Sequence, residues 1–470
     1  MKQNKIIQNY IYNLLYQFVM TILPMVTIPY LTRVLGSYNL GIARYTEAVV
    51  QLFTVFGLLG LVWYANRAVA YSRHDKEELV RCFWEIFIMR LILLALTMAV
   101  YIAVTWNSEY RNLYFIYSLY LAGTFLDCSW FFIGIEEMRP VAVRNGAVRI
   151  ASALSLFLFV RSRDSLTIYV WILSLTLVAN AVIIIPFLKP LIRAVPLRSL
   201  RVWSHFLPAL SLFLPQAASQ IYVQCDKLMI KYMIRDPSYI SFYTENEKIA
   251  KMPIVLASAL STVLMPRIAF EFRGGNREAV KKYIRKAFLS TMLVLGPCCT
   301  GIMAVSNTFV PLFLGAEFAQ TYGYLIMFSP IMIFIGLSNV TGIQYLVALD
   351  RTRELTVSYI SAALGNLLLD FLLIPMIGVY GAIIGTLFAE SMVFVIQYYY
   401  MRQDVGSMHM AESIVLIMVS SAVMGIIVYL AGMLHMPALL KIVMQVLIGV
   451  IVYGAIMLRT GMIRQLMREG

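Results

Sequence analysis

The sequence predicts an all-α polytopic membrane protein of about 14 transmembrane helices, with two six-helix pseudo-repeats around a central cavity and two further helices at the C-terminal end. Three observations predict it. Of 470 residues, 61% are hydrophobic and 13% charged, with a mean hydropathy of +0.79; a soluble domain carries roughly 45–50% apolar and about 25% charged residues. Apolar runs of about 20 residues, long enough to cross a bilayer as a helix, recur along the whole chain between short polar connections. Short strings of the first half also reappear in the second. The strict alternation in ten-residue segments that a transmembrane barrel requires is absent.

The expected spans are residues 9–35, 40–65, 82–105, 113–134, 141–160, 166–188, 205–233, 239–268, 287–314, 322–349, 355–374, 379–401, 414–434 and 439–458. They group as an N-lobe, residues 1–200 with helices 1–6, a C-lobe, residues 201–404 with helices 7–12, and two added helices in residues 405–470. "MKQNKIIQN" is basic, but the run behind it is too long for a cleaved signal peptide and lacks a small-residue cleavage site.

The formal net charge is +14. In a membrane chain such an excess belongs to cytoplasmic loops rather than to nucleic-acid binding. Alternate connections bear it out: "NRAVAYSRHDKEELVR", "KPLIRAVPLRSLRVW" and "EFRGGNREAVKKYIRK" fall on one side, the short and nearly neutral "GAEFAQ" and "MIGVY" on the other. Both termini are therefore expected in the cytoplasm and the chain in the cytoplasmic membrane.

The repeat is carried by Tyr-Thr-Glu. "GIARYTEAVV" in the second span and "YISFYTENEK" in the eighth place Glu47 on Glu245 and Arg33 on Lys231. A weaker echo places Arg139 on Arg353. Halves of six spans each enter from the same side, giving parallel repeats about an axis along the membrane normal, between which transporters commonly hold their substrate.

Polar residues inside the spans are the candidate site. Gln216, Gln220, Gln224, Lys227 and Lys231 recur every three or four residues on the seventh span, and so share one face over roughly 22 Å. Such a stripe lines a cavity, or forms a helix–helix seam stitched by glutamine hydrogen bonds. Asn9, Asn13 and Gln17 share a face of the first span. Glu245, Glu247, Lys248 and Lys251 open the eighth span on one side of a helix, reading as a cavity wall or as a wet loop before the membrane. Glu47 has Arg44 and Gln51 beside it. Asp127, Asp226, Asp370 and Glu390 are proton carriers, partners for the cavity bases, or structural ion pairs. Arg144 and Arg149 are read as snorkelling from the start of the fifth span, and Arg90 stands alone.

No enzyme is indicated. The four histidines, His74, His205, His409 and His435, lie near span ends without an intramembrane His–Asp pair. The five cysteines, Cys82, Cys128, Cys225, Cys298 and Cys299, sit in apolar runs without metal spacing and read as packing residues. No metal or cofactor is expected. No outside connection exceeds about a dozen residues, short for a glycan polymerase's acceptor loop.

At Trp130, Phe131, Phe132, Gly134, Glu136, Glu137 and Arg139, and at the turn Leu35, Gly36, Tyr38 and Gly41, the chain resembles the Wzx-type polysaccharide flippases of the multidrug/oligosaccharidyl-lipid/polysaccharide exporter superfamily. It departs from them at Ser238 and Tyr239, where the second-half turn usually keeps a glycine. The resemblance implies a flippase that moves an isoprenoid-pyrophosphate-linked oligosaccharide from the inner to the outer leaflet by alternating access. Arg33, Arg44, Lys227, Lys231, Lys248 and Lys251 would then meet the pyrophosphate. Asn9, Asn13, Gln17, Gln216, Gln220 and Gln224 would meet sugars, and Glu47, Asp127 or Glu245 would carry a coupling H⁺ or Na⁺. Membrane lipids and the glycan polymerase machinery are the further partners implied. A peptidoglycan-precursor flippase and a drug or cation antiporter are the alternatives; an antiporter would want a cavity of carboxylates and aromatics, and this stripe is basic.

Overall fold

A computed structural model describes residues 22–462 apart from 407 and 409. Among them the chain is helical without strands, and it divides into two compact units, Met1–Gln224 and Cys225–Gly470. The division falls inside a helix, downstream of the lobe boundary expected at residue 200.

Unit 1 runs α1 (Ile22–Val34), α2 (Gly36–Leu58), α3 (Leu61–Ser72), α4 (Lys76–Thr105), α5 (Arg111–Leu126), α6 (Ser129–Gly134), α7 (Met138–Phe159), α8 (Leu166–Ile183), α9 (Ile185–Leu188) and the first part of α10 (Phe206–Ile234). Unit 2 holds the rest of α10, then α11 (Ser238–Lys251), α12 (Ile254–Arg273), α13 (Arg277–Leu314), α14 (Tyr322–Phe328), α15 (Ile331–Ser338), a π-helix (Asn339–Val347), α16 (Thr352–Ile377), α17 (Val379–Val405), α18 (Ala411–Ala431) and α19 (Ala438–Arg459). Several helices start before the apolar run does, α4 at Lys76 and α13 at Arg277, with polar first turns.

Among the described residues 9 helices are long and apolar enough to span, or up to 12 if each bent pair is one span. The expected count of fourteen is not confirmed among the described residues. Residues 9–21 of the first expected span lie outside the described residues, and the eighth is broken at Met252–Pro253, between α11 and α12.

The breaks have local causes. Leu59 and Gly60 both take left-handed backbone, φ +46 and +81, and the chain bends 41° between α2 and α3. A Cβ on Gly60 would strike the backbone of Ala209 and Phe213, so the turn demands glycine for both conformation and space. Gly36, φ +73, opens α2. In the second half Arg235 takes the left-handed conformation, φ +67, and the Asp236 carboxylate accepts from Ser238 N–H at 2.9 Å. A side-chain cap thus does there what a glycine turn does in the first half.

Between α5 and α6 the helix breaks at Asp127, leaving carbonyls without intrahelical partners. Arg90 supplies them: Nε donates to Phe125 O at 2.9 Å and Nη2 to Thr124 O at 2.7 Å. The arginine that stands alone in the sequence is a backbone clamp, buried to 4% exposure. Arg144 does not snorkel either. It is buried in α7 and donates to Asp127 (2.7 Å), Ser129 Oγ (2.7 Å), Asn145 Oδ1 (2.6 Å) and Asn180 O (2.8 Å), stitching α7 to the break and to α8.

Candidate functional site

In unit 1 the polar interior is built on α2. Arg44 and Glu47 are one turn apart and paired at 3.1 Å, and Arg44 also donates to Tyr169 Oη of α8 at 3.0 Å. Gln51, a turn further on, donates to Glu47 at 3.3 Å and accepts from Gln224 of α10 at 2.5 Å. A relay of side chains at three- and four-residue spacing thus connects α8, α2 and α10. Arg33 lies apart from it, exposed, with Nη1 on Pro29 O at 2.9 Å.

Also within unit 1, a cavity of about 510 Å³ lies among α5, α6, α7 and α8, with Arg144, Arg149, Asn145, Asp127 and Asn180 on its walls. Asp127 is held by Arg144, as described above. Gln216 and Gln220 are half-buried on the part of α10 that follows a 52° bend. Asn9, Asn13 and Gln17 lie outside the described residues.

In unit 2 the charges at the start of the eighth expected span settle as a helix wall. Residues 245–247 are buried and helical, with Glu245 at 0% exposure and Glu247 at 6%; a wet loop is excluded. Lys251 Nζ lies 2.6 Å from Glu247 and Lys248 Nζ 3.1 Å from Glu245. Lys227 of α10 adds to the positive field at Glu247, together with Lys248 and Lys251. Three lysines and two buried carboxylates, Glu245 and Glu247, thus belong to one charge cluster. Lys231 is half-buried one turn beyond Lys227. The repeated Tyr-Thr-Glu keeps its chemistry, since Glu47 and Glu245 each bind a base three residues away.

Beside this cluster lies a second one. Tyr243 Oη and Thr386 Oγ1 both donate to Asp226 Oδ2, the latter at 2.7 Å, and the carboxyl groups of Asp226 and Asp370 face each other. Asp226 Oδ1, both carboxyl oxygens of Asp370 and both amide atoms of Asn366 are buried without a hydrogen-bond partner. All three residues are at 0% exposure. A Cβ on Gly385 would overlap Asp370 Oδ1 and approach Asn366 Nδ2, so glycine is what lets α16 and α17 close here. Asn366 carries no role in the sequence reading, although its place four residues before Asp370 puts both on one helical face.

Unsatisfied buried oxygens of this kind are costly unless a proton or cation completes them. Two carboxylates with hydroxyl and amide oxygens offer a hard, all-oxygen set. Among the described residues no group of three or more His, Cys, Asp and Glu could hold a metal, and all five cysteines are free.

Comparison with known proteins agrees with this architecture. A family model described as polysaccharide biosynthesis protein matches residues 6–270. A candidate O-antigen transporter of Escherichia coli (strain K12) is 24% identical over 403 residues, 84% of this chain and 97% of that one. The lipid II flippase MurJ of Bacillus subtilis (strain 168) is 25% identical over 187 residues, 39% of this chain and 34% of its own. Among solved structures, lipid II flippase MurJ in an inward closed conformation superposes with a TM-score of 0.78 at 18% identity, covering 97% of this chain and 100% of that chain. An inward-facing multidrug resistance MATE transporter of the MOP superfamily gives 0.57 at 15% identity, over 83% of this chain and 98% of its own. The chain thus shares the fold of these solved structures and is a multi-pass membrane protein.

Proposed function

Because the chain belongs to the polysaccharide biosynthesis protein family, we propose that it is a flippase for a lipid-linked oligosaccharide, moving an isoprenoid-pyrophosphate-linked glycan from the inner to the outer leaflet by alternating access. The observation that carries this reading is the cluster of Lys227, Lys248 and Lys251 with the buried Glu245 and Glu247 on α10 and α11. Lysine ammonium groups attract a multiply charged anion, and charge-assisted hydrogen bonds to phosphate oxygens are among the strong ones. Arg44, Gln51 and Gln224 in unit 1 supply guanidinium and carboxamides suited to phosphate and sugar hydroxyls. The isoprenoid tail stays in lipid while the head group crosses.

Asp226 and Asp370 carry the coupling H⁺ or Na⁺ in this reading. They are preferred to Glu47, Asp127 and Glu245, each of which already faces a base. Protonation or a bound cation would satisfy the pair, and its loss would leave facing charges that push α10 and α16 apart.

Replacing Lys227 or Lys231 by Ala should abolish glycan export in a strain that depends on this chain, with the protein level unchanged; unimpaired export rejects the assignment. A second reading, a peptidoglycan-precursor flippase, is favoured by the superposition on lipid II flippase MurJ. Proteoliposomes offered either lipid-linked oligosaccharide or lipid II separate the two.

A further inference from the structure

Unit 1 contains a cavity of about 870 Å³ that the transport reading does not use. Three connections meet around it: Arg73 and His74 leading into α4, the turn from α6 to α7 at Glu136 and Glu137, and residues 190–196 after α9. Each connection borders a membrane-length helix, Lys76–Thr105, Met138–Phe159 or Arg163–Leu188. The cavity therefore sits where spans emerge on one face of the membrane. Tyr71 and Trp203, close by in sequence, are 70% and 63% exposed, as interfacial aromatic residues are.

The walls combine two chemistries. Lys76, Arg81 and Arg193 line the cavity, and none of them has a carboxylate partner among the described residues. Arg73 is taken up by Glu136 at 2.5 Å, and Glu77 and Glu137 are the other acids on the lining. Between the charges lie Leu79, Val80, Leu191 and Val195.

The site is preformed. Trp84 Nε1 donates to Arg193 O at 2.9 Å. Glu85, on the same helix, accepts from Arg201 N–H at 2.7 Å and from His205 Nε2 at 2.8 Å. These bonds pin both ends of a segment with little regular structure of its own. Phe131, on the lining, meets Phe83 edge-on at 5.4 Å, and Phe83 stacks on Trp130 at 5.5 Å.

We infer that this cavity binds a membrane phospholipid through its headgroup phosphate, with Lys76, Arg81 and Arg193 on the phosphate and the apolar wall against the first carbons of the chains. Its size suits such a ligand, since small-molecule sites run to roughly 300–1,000 Å³. Basic pockets between spans at a charged membrane face are where anionic headgroups gather. The inference does not rest on the proposed transport function.

The test uses the purified full-length protein in a phosphate-free, delipidated detergent solution. Its thermal unfolding is followed while phosphatidylglycerol, phosphatidylethanolamine, diacylglycerol or inorganic phosphate is added. Both phospholipids should raise the midpoint and diacylglycerol should not. Arg81→Gln and Arg193→Gln should each weaken the apparent affinity about tenfold, as loss of one charge-assisted hydrogen bond does. Arg111→Gln, which removes a cation from a Trp106 ring at the far end of α4, should respond like the wild type. An unchanged response in both R81Q and R193Q overturns the site. So does stabilisation by diacylglycerol equal to that by phospholipid, or stabilisation by inorganic phosphate alone.

Discussion

Lys251 and Glu247 stand one helical turn apart on α11, their charged atoms 2.6 Å apart, with the glutamate side chain at 8% exposure and the lysine side chain at 28%. The pair cannot be a surface ornament, because its acid is shut away from water and the charges of Lys227 and Lys248 act on it too.

Lys251→Ala should destabilise the protein by about 1–3 kcal/mol, less than the cost of breaking a fully buried pair because the lysine is partly solvated. Removing both partners, as Glu247→Ala with Lys251→Ala, should cost less than the two single changes added together. A double-mutant cycle of thermal unfolding in detergent measures this coupling, expected at about 0.5–3 kcal/mol. Additive single effects would show that the two side chains do not interact in solution.

Gly385→Ala probes the carboxylate pair without touching either acid. The added methyl has to displace Asp370, and overpacking of this kind costs typically 1–3 kcal/mol. Gradient-driven transport in proteoliposomes should fall at least about tenfold for G385A and for Asp370→Asn. A wild-type response to the imposed gradient in D370N would remove Asp370 from the coupling machinery.

Arg90 is predicted to matter for folding and not for substrate. Arg90→Ala leaves the Phe125 and Thr124 carbonyls without their donors, and each buried carbonyl abandoned in this way costs about 1–3 kcal/mol. Protein yield and the unfolding midpoint should both fall. Transport per folded molecule should stay within about twofold, which normalised flipping assays check.

Glu85 ties down the connection that precedes α10. Glu85→Ala frees Arg201 N–H and His205, so trypsin should cut at Arg193, Arg198 or Arg201 about tenfold faster than in the wild type. Glu85→Gln, which keeps an acceptor for the backbone N–H, should be cut at an intermediate rate. Equal cleavage in all three would mean that other contacts hold the segment.

Much of this architecture is written locally. Runs of about twenty apolar residues delimit helices such as α8, α17 and α19 because hydrophobicity is a property of neighbouring residues. The same holds for the stripe on α10, whose spacing alone places glutamines and lysines on one face. The charges of α11 are also legible as one side of a helix, and their burial follows.

Other features depend on residues far apart in the chain. Nothing around Arg90 in sequence announces that α5 will break opposite it, and nothing beside Glu85 announces His205. Asp226, Asn366, Asp370 and Thr386 come from three helices and acquire joint meaning only when Gly385 lets two of them close.

The amino-acid order by itself determined that this is a helical membrane protein of a polysaccharide-related family with polar faces inside its spans, because periodicity and transfer energy act over a turn or two. Tertiary packing alone decided which buried charges are neutralised, which are left facing one another, and where the helices break, because electrostatic and steric contacts depend on distance in space and not on separation along the chain.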